Sequence, residues 1–300
     1  MTLEQLRIFV AVAERQHVTQ AARALNLAQS AASAAIAALE AQHDTRLFNR
    51  VGRGIELTVA GRIFLEEARA VLARAAMAEL ALTELGALRR GVLSIQASQT
   101  IASYWLPRHL IAFHGAHPQI DIRLSVGNTL QVARSVVEGL AELSFVEGDF
   151  DDSALSATDL ARDRLIIVVG QQHPWAERAK IEPEDLSQSD WIMREPGSGT
   201  RSSFEAAIEG FGLAPSQLRV ALELPSNEAV RAAVEAGAAA GALSASVAAP
   251  SIESGLLHHL ALDLPERVFR VLRHRERFSS NAAEALLAMI NEATPSRRAA

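Results

Sequence analysis

From Val59 to Leu88 the chain runs without a proline, and glycine occurs only at Gly61 and Gly86. Leu65, Ala68, Leu72, Ala75, Leu82 and Leu85 recur at roughly three- and four-residue spacing, which predicts one long helix. Glu79 interrupts the seam, so the repeat is not a perfect heptad. A lone helix of that length is held by packing on a partner helix. The alternative, a core helix of whatever follows, fits its length less well. The segment therefore divides the 300 residues into a short head and a long body, consistent with about two domains for a chain of this size.

The head reads as short helices. Leu3, Leu6, Phe9, Val10, Val12 and Ala13 share one helical face. Thr19 is a candidate N-cap for a second helix carrying Ala21, Ala22, Ala24 and Leu25. Asn26 to Gln29 fits a tight turn, and Ser30 opens a third helix through about Leu39, with Ile36 and Leu39 inward. Two short helices joined by such a turn make a helix-turn-helix. Leu47-Phe48 and Ile55-Glu56-Leu57 flank a turn with Gly52 and Gly54, which predicts a hairpin, the wing of a winged helix.

From Gly91 the pattern changes to alternating strands and helices. Strands are expected at 92–95, 120–126, 143–146, 165–169, 242–246 and 268–272. Helices are expected near 101–113, 130–139, 201–210, 227–237 and 281–291. The apolar run Leu165 to Val169 predicts a strand buried on both faces. Such alternation implies a mostly parallel sheet with sites at the carboxyl ends of its strands.

Composition narrows the function classes. There is no cysteine, which excludes disulfides, thiolate nucleophiles and zinc–thiolate sites. No uncharged stretch approaches the ~18 apolar residues of a membrane span, and the first residues lack a signal-peptide pattern, so a cytoplasmic address is expected. The net charge is −6. Residues 1–90 nevertheless hold eleven arginines against nine carboxylates, a net +2, leaving 18 basic and 26 acidic residues, a net −8, for the remainder. A mildly basic head on an acidic body suits contact with nucleic acid at one end. No nucleophile elbow or His-Glu-x-x-His is present. His114, His117, His258 and His259 read as surface histidines rather than metal ligands. No catalytic residue, metal or cofactor is expected.

The head resembles the N-terminal domain of LysR-type transcriptional regulators. The matching residues are Leu6-Arg7-x-Phe9, Ala21-Ala22-x-x-Leu25, Gln29-Ser30-Ala31-x-Ser33, Ile36, Leu39-Glu40, Leu47-Phe48-x-Arg50, Arg53 and Leu57-Thr58-x-Ala60-Gly61. The resemblance extends over almost the whole chain. It implies a winged helix-turn-helix at 1–58, a linker and dimerisation helix at 59–90, and an effector-binding domain at 91–300. That domain would be a two-lobed α/β body of the periplasmic-binding-protein type, with lobe I at about 91–161 plus 266–300 and lobe II at about 162–265. SQTIASYWLP and EPGSGTR look most like the subgroup regulating sulfur assimilation and carbon fixation (CysL-like and CbbR-like). Three positions depart from the family pattern: Ala28, Ala34 and Asp44. The first two thin out polar contacts to DNA, and the third alters a turn.

The third helix would enter the major groove, where its first turn reaches base edges. Gln29 suits an adenine edge, Ser30 and Ser33 suit base or phosphate, and Ala31, Ala32, Ala34 and Ala35 suit thymine methyls. Thr19, Arg50 and Arg53 complete the expected DNA contacts, the two wing arginines by positioning rather than specifying. Few cations per head imply that linked heads supply affinity. The expected partners are a promoter operator with interrupted dyad symmetry, a second copy in a homodimer or homotetramer, and RNA polymerase, with no membrane. An effector-independent architectural DNA protein is the alternative.

In the body, Ser98, Thr100 and Ser103 follow the first strand at a helix start, an anion-binding arrangement, and the resemblance puts this strand end in the effector cleft. Ser198, Gly199, Thr200 and Arg201 form a Gly-rich turn before a helix that suits a carboxylate, sulfate or phosphate. Asn128 and Thr129 after the second strand and Glu147 after the third fall at similar strand ends, and Ser226-Asn227 precedes a later helix, where it either caps that helix or faces the cleft. Glu147 and Glu195 disfavour an anion unless the ligand also brings hydrogen donors. A small, anionic metabolite with donor groups is the expected effector.

Overall fold

The computed structural model describes residues 1–51, 54–83, 91–148, 150, 152–178 and 180–293, with the backbone alone at 77 and 80–83. Arg53, the end of the linker and the last residues from 294 lie outside the described residues. The chain forms two compact units, one of Met1–Gly86 with Glu138–Leu140 and one of Ala87–Val137 with Ala141–Ala300.

In the first unit α1 (Leu3–Arg15) is opened by a capping box: Gln5 N donates to Thr2 Oγ1 at 3.2 Å, and Thr2 N donates to Gln5 Oε1 at 2.9 Å. Leu6, Phe9, Val12 and Ala13 are buried, whereas Leu3 stays 40% exposed. The second helix, α2 (Val18–Ala24), is not capped by Thr19. His17 stands in extended backbone, and its Nδ1 accepts from Gln20 N at 3.4 Å, which leaves Thr19 inside the helix. The third helix, α3 (Gln29–Gln42), starts one residue earlier than expected, after Ala28, which has no capping side chain. Gln29 is therefore helical rather than part of the turn. Strands β1 (Phe48–Val51) and β2 (Gly54–Leu57) pair antiparallel as the wing.

The motif residues of the head have mechanical work. Glu40 Oε1 on α3 accepts from Leu47 N at 2.7 Å and Phe48 N at 3.1 Å, tying the helix to the start of the wing. Phe9 meets Phe48 and Phe64 with ring centroids 5.4 and 4.8 Å apart. Asp44 has φ 45°, which fits the glycine that the family resemblance puts there. Thr58 Oγ1 accepts from Gly61 N at 2.9 Å and donates to Arg46 O at 2.8 Å, at the start of α4 (Val59–Thr83). A Cβ at Gly61 would lie 2.1 Å from Leu47 O. Alanine elsewhere in a helix gains about 1 kcal/mol over glycine. Gly61→Ala is expected to have the opposite sign and lose about 1–3 kcal/mol through overpacking, read as a lower unfolding midpoint by circular dichroism.

The start of the α4 seam packs within the head, while the Leu82 side chain and Leu85 lie outside the described residues. Leu65 and Ala68 are buried, with Leu72 packed against them, in the head's own core around Phe9 and Val12. Among the described residues, the large apolar side chains that α4 leaves exposed are Val59, Ile63 and Val71.

The second unit is a mixed sheet, not a mostly parallel one. β3 (Gly91–Ser98) pairs parallel with β4 (Ile120–Gly127) and β5 (Leu143–Glu147). β6 (Leu155–Gly170) and β11 (Glu266–His274) run antiparallel to each other, and β11 runs antiparallel to β5. β6 continues antiparallel to β9 (Ala240–Ser244) and β10 (Leu257–Leu260), while β7 (Asp190–Arg194) is parallel to β9 and to β8 (Arg219–Leu224). The antiparallel character comes from two long strands that pass between lobes. Residues 155–164 of β6 pair with β11, and residues 165–169 pair with β9. Helices α5 (Leu106–Ala116), α6 (Thr129–Glu138) and α10 (Asn281–Ala293) belong with the first lobe; α7 (Gly199–Gly210), α8 (Asn227–Ala236) and α9 (Ala245–Glu253) belong with the second.

Each lobe has its own core. Leu93, Ile95, Phe113, Phe145, Phe269 and Leu286 fill the first. In the second, Leu165, Ile167 and Val169 face Trp191, Phe204 and Ile208, while Ile166 and Val168 face Val230, Val234 and Leu243. That division explains the unbroken apolar run: both faces of this half of β6 are covered. Beside the second lobe, Trp175 N donates to His173 Nδ1 at 3.0 Å, leaving Nε2 2.8 Å from Ser189 Oγ. Burial, helped by Arg178, holds His173 below the usual histidine value. The unfolded chain therefore binds the extra proton first, and stability falls as the pH drops below about 6.5. His173→Gln is expected to flatten that decline in a series of melts between pH 7.5 and 5.5.

Candidate functional site

Two regions collect the residues singled out in the sequence. In the head, Gln29, Ser30, Ala31 and Ala34 are exposed, and Ser33 is half-buried. Gln29 Nε2 donates to Ser33 Oγ at 3.2 Å, one turn away. The opposite face, with Ala32, Ile36 and Leu39, is buried in the head core. Ala32 is 0% exposed and cannot meet a base; Ala35 is half-buried. The result is a protruding helix tip with small residues and two kinds of polar group. Thr19 is half-buried and Arg50 is exposed on the wing.

In the second unit a buried polar network lies where the two lobes meet. Glu147 ends β5, is 2% exposed, and accepts from Ser98 Oγ. Thr200 Oγ1 lies 3.5 Å from Glu147 Oε1 and accepts from Arg267 Nη1 at 3.0 Å. Arg267 also donates from Nε to Asp163 Oδ2 at 2.7 Å, and its Nη2 stands 2.6 Å from the same oxygen. Ser244 Oγ donates to Asp163 Oδ1 at 2.8 Å. Asn227 Nδ2 donates to Thr100 Oγ1 at 3.0 Å, and Asn227 Oδ1 accepts from Arg194 at 2.7 Å. These side chains are nine-tenths or more buried, so their charges are held in low dielectric by one another.

Bonds between the lobes bracket the network. Asn128 Nδ2 donates to Glu195 Oε1 at 3.2 Å, and Leu130 N donates to Gly197 O at 3.1 Å. On the other side Gln99 Nε2 donates to Pro225 O and Asn227 N donates to Gln99 Oε1, both at 2.9 Å. Burial pushes the Glu195 carboxyl up, but the bidentate Arg194 guanidinium at 2.8 and 2.9 Å outweighs it, and the net shift is downward. A cavity of about 490 Å³ borders Gly148, Ser202, Ser203, Arg267 and Arg270.

Of the residues named from sequence, Ser98, Thr100, Glu147 and Thr200 come together in this network, and Thr129 Oγ1 donates to Glu147 O at 3.4 Å. Ser198 and Gly199 stand at the start of α7 beside it. Asn128 and Glu195 pair at its edge. Three differ. Arg201 turns outward: Nε donates to Glu205 at 2.8 Å and Nη1 to Glu223 at 2.7 Å, so its charge is committed away from the cleft. Ser103 is exposed, on the side of its turn away from the buried Ile101 and Ala102. Ser226 caps α8 by accepting from Ala229 N at 3.0 Å. Asn227, named beside Ser226, does enter the network, whereas sequence reasoning missed Arg267, Asp163, Arg194 and Gln99. Arg267 left a faint signal, a cation one residue before the apolar strand Val268 to Leu272.

A winged helix-turn-helix joined to a two-lobed α/β domain with a polar centre is the architecture of a DNA-binding regulator with a sensor. Comparison with known proteins agrees. Residues 3–62 match the family "Bacterial regulatory helix-turn-helix protein, lysR family", and residues 86–295 match "LysR substrate binding domain". The chain belongs to the LysR family of transcriptional regulators and is a regulator rather than an enzyme. It is 31% identical over 303 residues to a probable RuBisCO transcriptional regulator of Cyanophora paradoxa, covering 98% of this chain and 94% of that protein. It is 33% identical over 290 residues to the uncharacterized HTH-type regulator YeiE of Escherichia coli K12, covering 96% of each. Among solved structures it shares the fold of CbnR, a LysR family regulator, with TM-score 0.71, 22% identity, and coverage of 98% and 99%. It also resembles the CcmR regulatory domain of Synechocystis in complex with 2-PG, with TM-score 0.63, 25% identity, and coverage of 69% of this chain and 99% of that one.

Proposed function

We propose that this regulator reads operator DNA with the tip of α3 and is gated by a small anionic metabolite held in the interlobe cleft. The exposed Gln29, Ser30 and Ala31 at the tip of α3, whose opposite face is buried in the head core, carry the DNA half of this reading. Gln29 and Ser30 face base edges, Ser33 supports Gln29, Ala31 and Ala34 permit close approach, and Arg50 with Arg53 takes phosphate on the wing. The effector half rests on hydroxyls of Ser98, Thr100 and Thr200 gathered around Glu147 and Arg267, with Ser198 and Gly199 at the start of α7 beside them. The 2-PG in complex with the CcmR regulatory domain, a small anionic metabolite, is of the expected class. Binding that favours one lobe arrangement shifts the spacing of linked heads through α4.

Two heads on an interrupted inverted repeat, in a homodimer or homotetramer, fit the exposed Val59, Ile63 and Val71 stripe on α4. Contact with RNA polymerase at a promoter would place this action in the cytoplasm. Titrating the full chain with phosphorylated and carboxylic metabolites while following tryptophan emission tests the effector half. Trp105 is 7% exposed and packs on Phe145 and Phe269 at ring-centroid distances of 6.2 and 6.0 Å, so a change in the lobes should alter its emission. Flat titrations across both classes would contradict the sensor reading.

A further inference from the structure

The position in the cleft best suited to an anion is already filled by a side chain. α7 is a helix of 12 residues, and its first turn presents the partial positive charge of backbone N–H groups. Ser198, the cap residue, is 2% exposed, and its hydroxyl has no hydrogen-bond partner. Glu147 stands at this helix start: a Cβ at Gly199 would lie 2.8 Å from Glu147 Cγ and 2.5 Å from Glu147 O. One carboxylate oxygen accepts a hydrogen bond from Ser98 Oγ, while the other faces Thr200 at 3.5 Å and Arg267 at 3.7 Å.

The remaining charges nearby are already matched. Arg267 closes on Asp163, and Arg194 closes on Glu195. Glu147 is thus the carboxylate that the hydroxyls and the helix start serve together. A hydroxyl has one proton to give. Ser98 and Thr200 cannot donate to Glu147 and to an incoming anion at once, and two carboxylates in one dry site repel strongly.

We propose that Glu147 is a resident anion: its carboxylate holds the effector's phosphate or carboxylate position until the effector exchanges with it. This rests on the reading of the cleft as an effector site. Gly148, the next residue, has φ 85° and lines the cavity of about 490 Å³ beside Arg267, which gives the displaced side chain somewhere to go. The exchange sets a threshold, because an effector must outcompete a tethered carboxylate before the lobes respond.

The test is calorimetric titration of the full chain at fixed ionic strength with inorganic phosphate and, separately, acetate. The proteins are the unaltered chain, Glu147→Gln, Ser98→Ala and the Glu147→Gln/Ser98→Ala double variant. Exchange predicts at least tenfold tighter binding of one probe to Glu147→Gln, with the gain lost in the double variant; the probe that gains identifies phosphate or carboxylate as the effector's group. Equal or weaker binding to Glu147→Gln overturns the proposal. If Ser98→Ala still abolishes binding in that case, the cleft reading stands and only exchange falls; if no variant changes binding, both fall. If Glu147→Gln does not fold, Glu147→Ala is read in the same way. A chain that tolerates neither also overturns the proposal, since exchange requires the carboxylate to leave its position.

Discussion

Replacing Arg267 with methionine is expected to cost about 3–5 kcal/mol of stability, the usual result of leaving buried charge without its partner. Arg267 is 4% exposed. Its guanidinium holds Asp163 through two contacts, supports Thr200 at 3.0 Å and reaches Thr100 at 3.4 Å. Methionine matches much of the volume but supplies no donor, so Asp163 keeps only the Ser244 hydroxyl as a named partner. A loss of that size corresponds to a fall in melting temperature on the order of 10 °C for a unit of about 200 residues. Pairing Asp163→Leu with Arg267→Met should recover a large part of the loss, because the pair is then removed together. An Arg267→Met chain that melts within a degree or two of the original would mean that the network contributes little.

The second large effect is on DNA. Gln29→Ala with Ser33→Ala removes the hydrogen-bonded Gln29–Ser33 pair from the tip of α3, leaving Ser30, without touching the buried Ala32, Ile36 and Leu39. A good bidentate side chain–base pair is worth about 1–3 kcal/mol of discrimination. With two heads engaged, operator affinity is expected to drop by roughly two orders of magnitude or more at physiological salt, while nonspecific binding, carried by phosphate contacts, stays nearly constant. Fluorescence anisotropy with operator and scrambled duplexes reads both. Arg50→Ala should behave differently, weakening both duplexes alike and reducing the salt dependence.

The head was legible in the sequence because its signals are local. Helical spacing placed α1 and the buried face of α3, and the glycine-containing turn placed the wing. Errors there were errors of capping: an imidazole at His17 replaced the expected Thr19, and Ala28 began α3 with no side-chain cap. The long helix was also visible, but its spacing alone did not say which seam residues pack within the head. Leu65 and Ala68 face the head core, a choice that periodicity cannot make.

The body was less legible for topological reasons. The polar first half of β6, with Thr158, Asp159 and Arg162, does not read as a strand, yet β11 beside it makes it one. The α9 helix carries Pro250 inside it and gave no clear helical signal. The strand-end hydroxyls Ser98, Thr100 and Thr200 were found because they sit at switches from strand to helix. Arg267, Asp163 and Arg194 lie within strands distant in sequence, and only folding brings them together. Arg201 shows the converse: a cation beside a Gly-rich turn looks like an anion clamp until Glu205 and Glu223 are seen to claim it.

Recovery of genomic fragments by the full chain, followed by footprinting with and without candidate phosphorylated acids, tests the central claim most directly. The account predicts a small set of fragments sharing an interrupted inverted repeat, protection of both half-sites that depends on Gln29 and Ser33, and a footprint whose spacing changes with one small anion. Recovery of unrelated fragments in proportion to their length, with protection indifferent to Gln29, Ser33 and every acid tried, would contradict it.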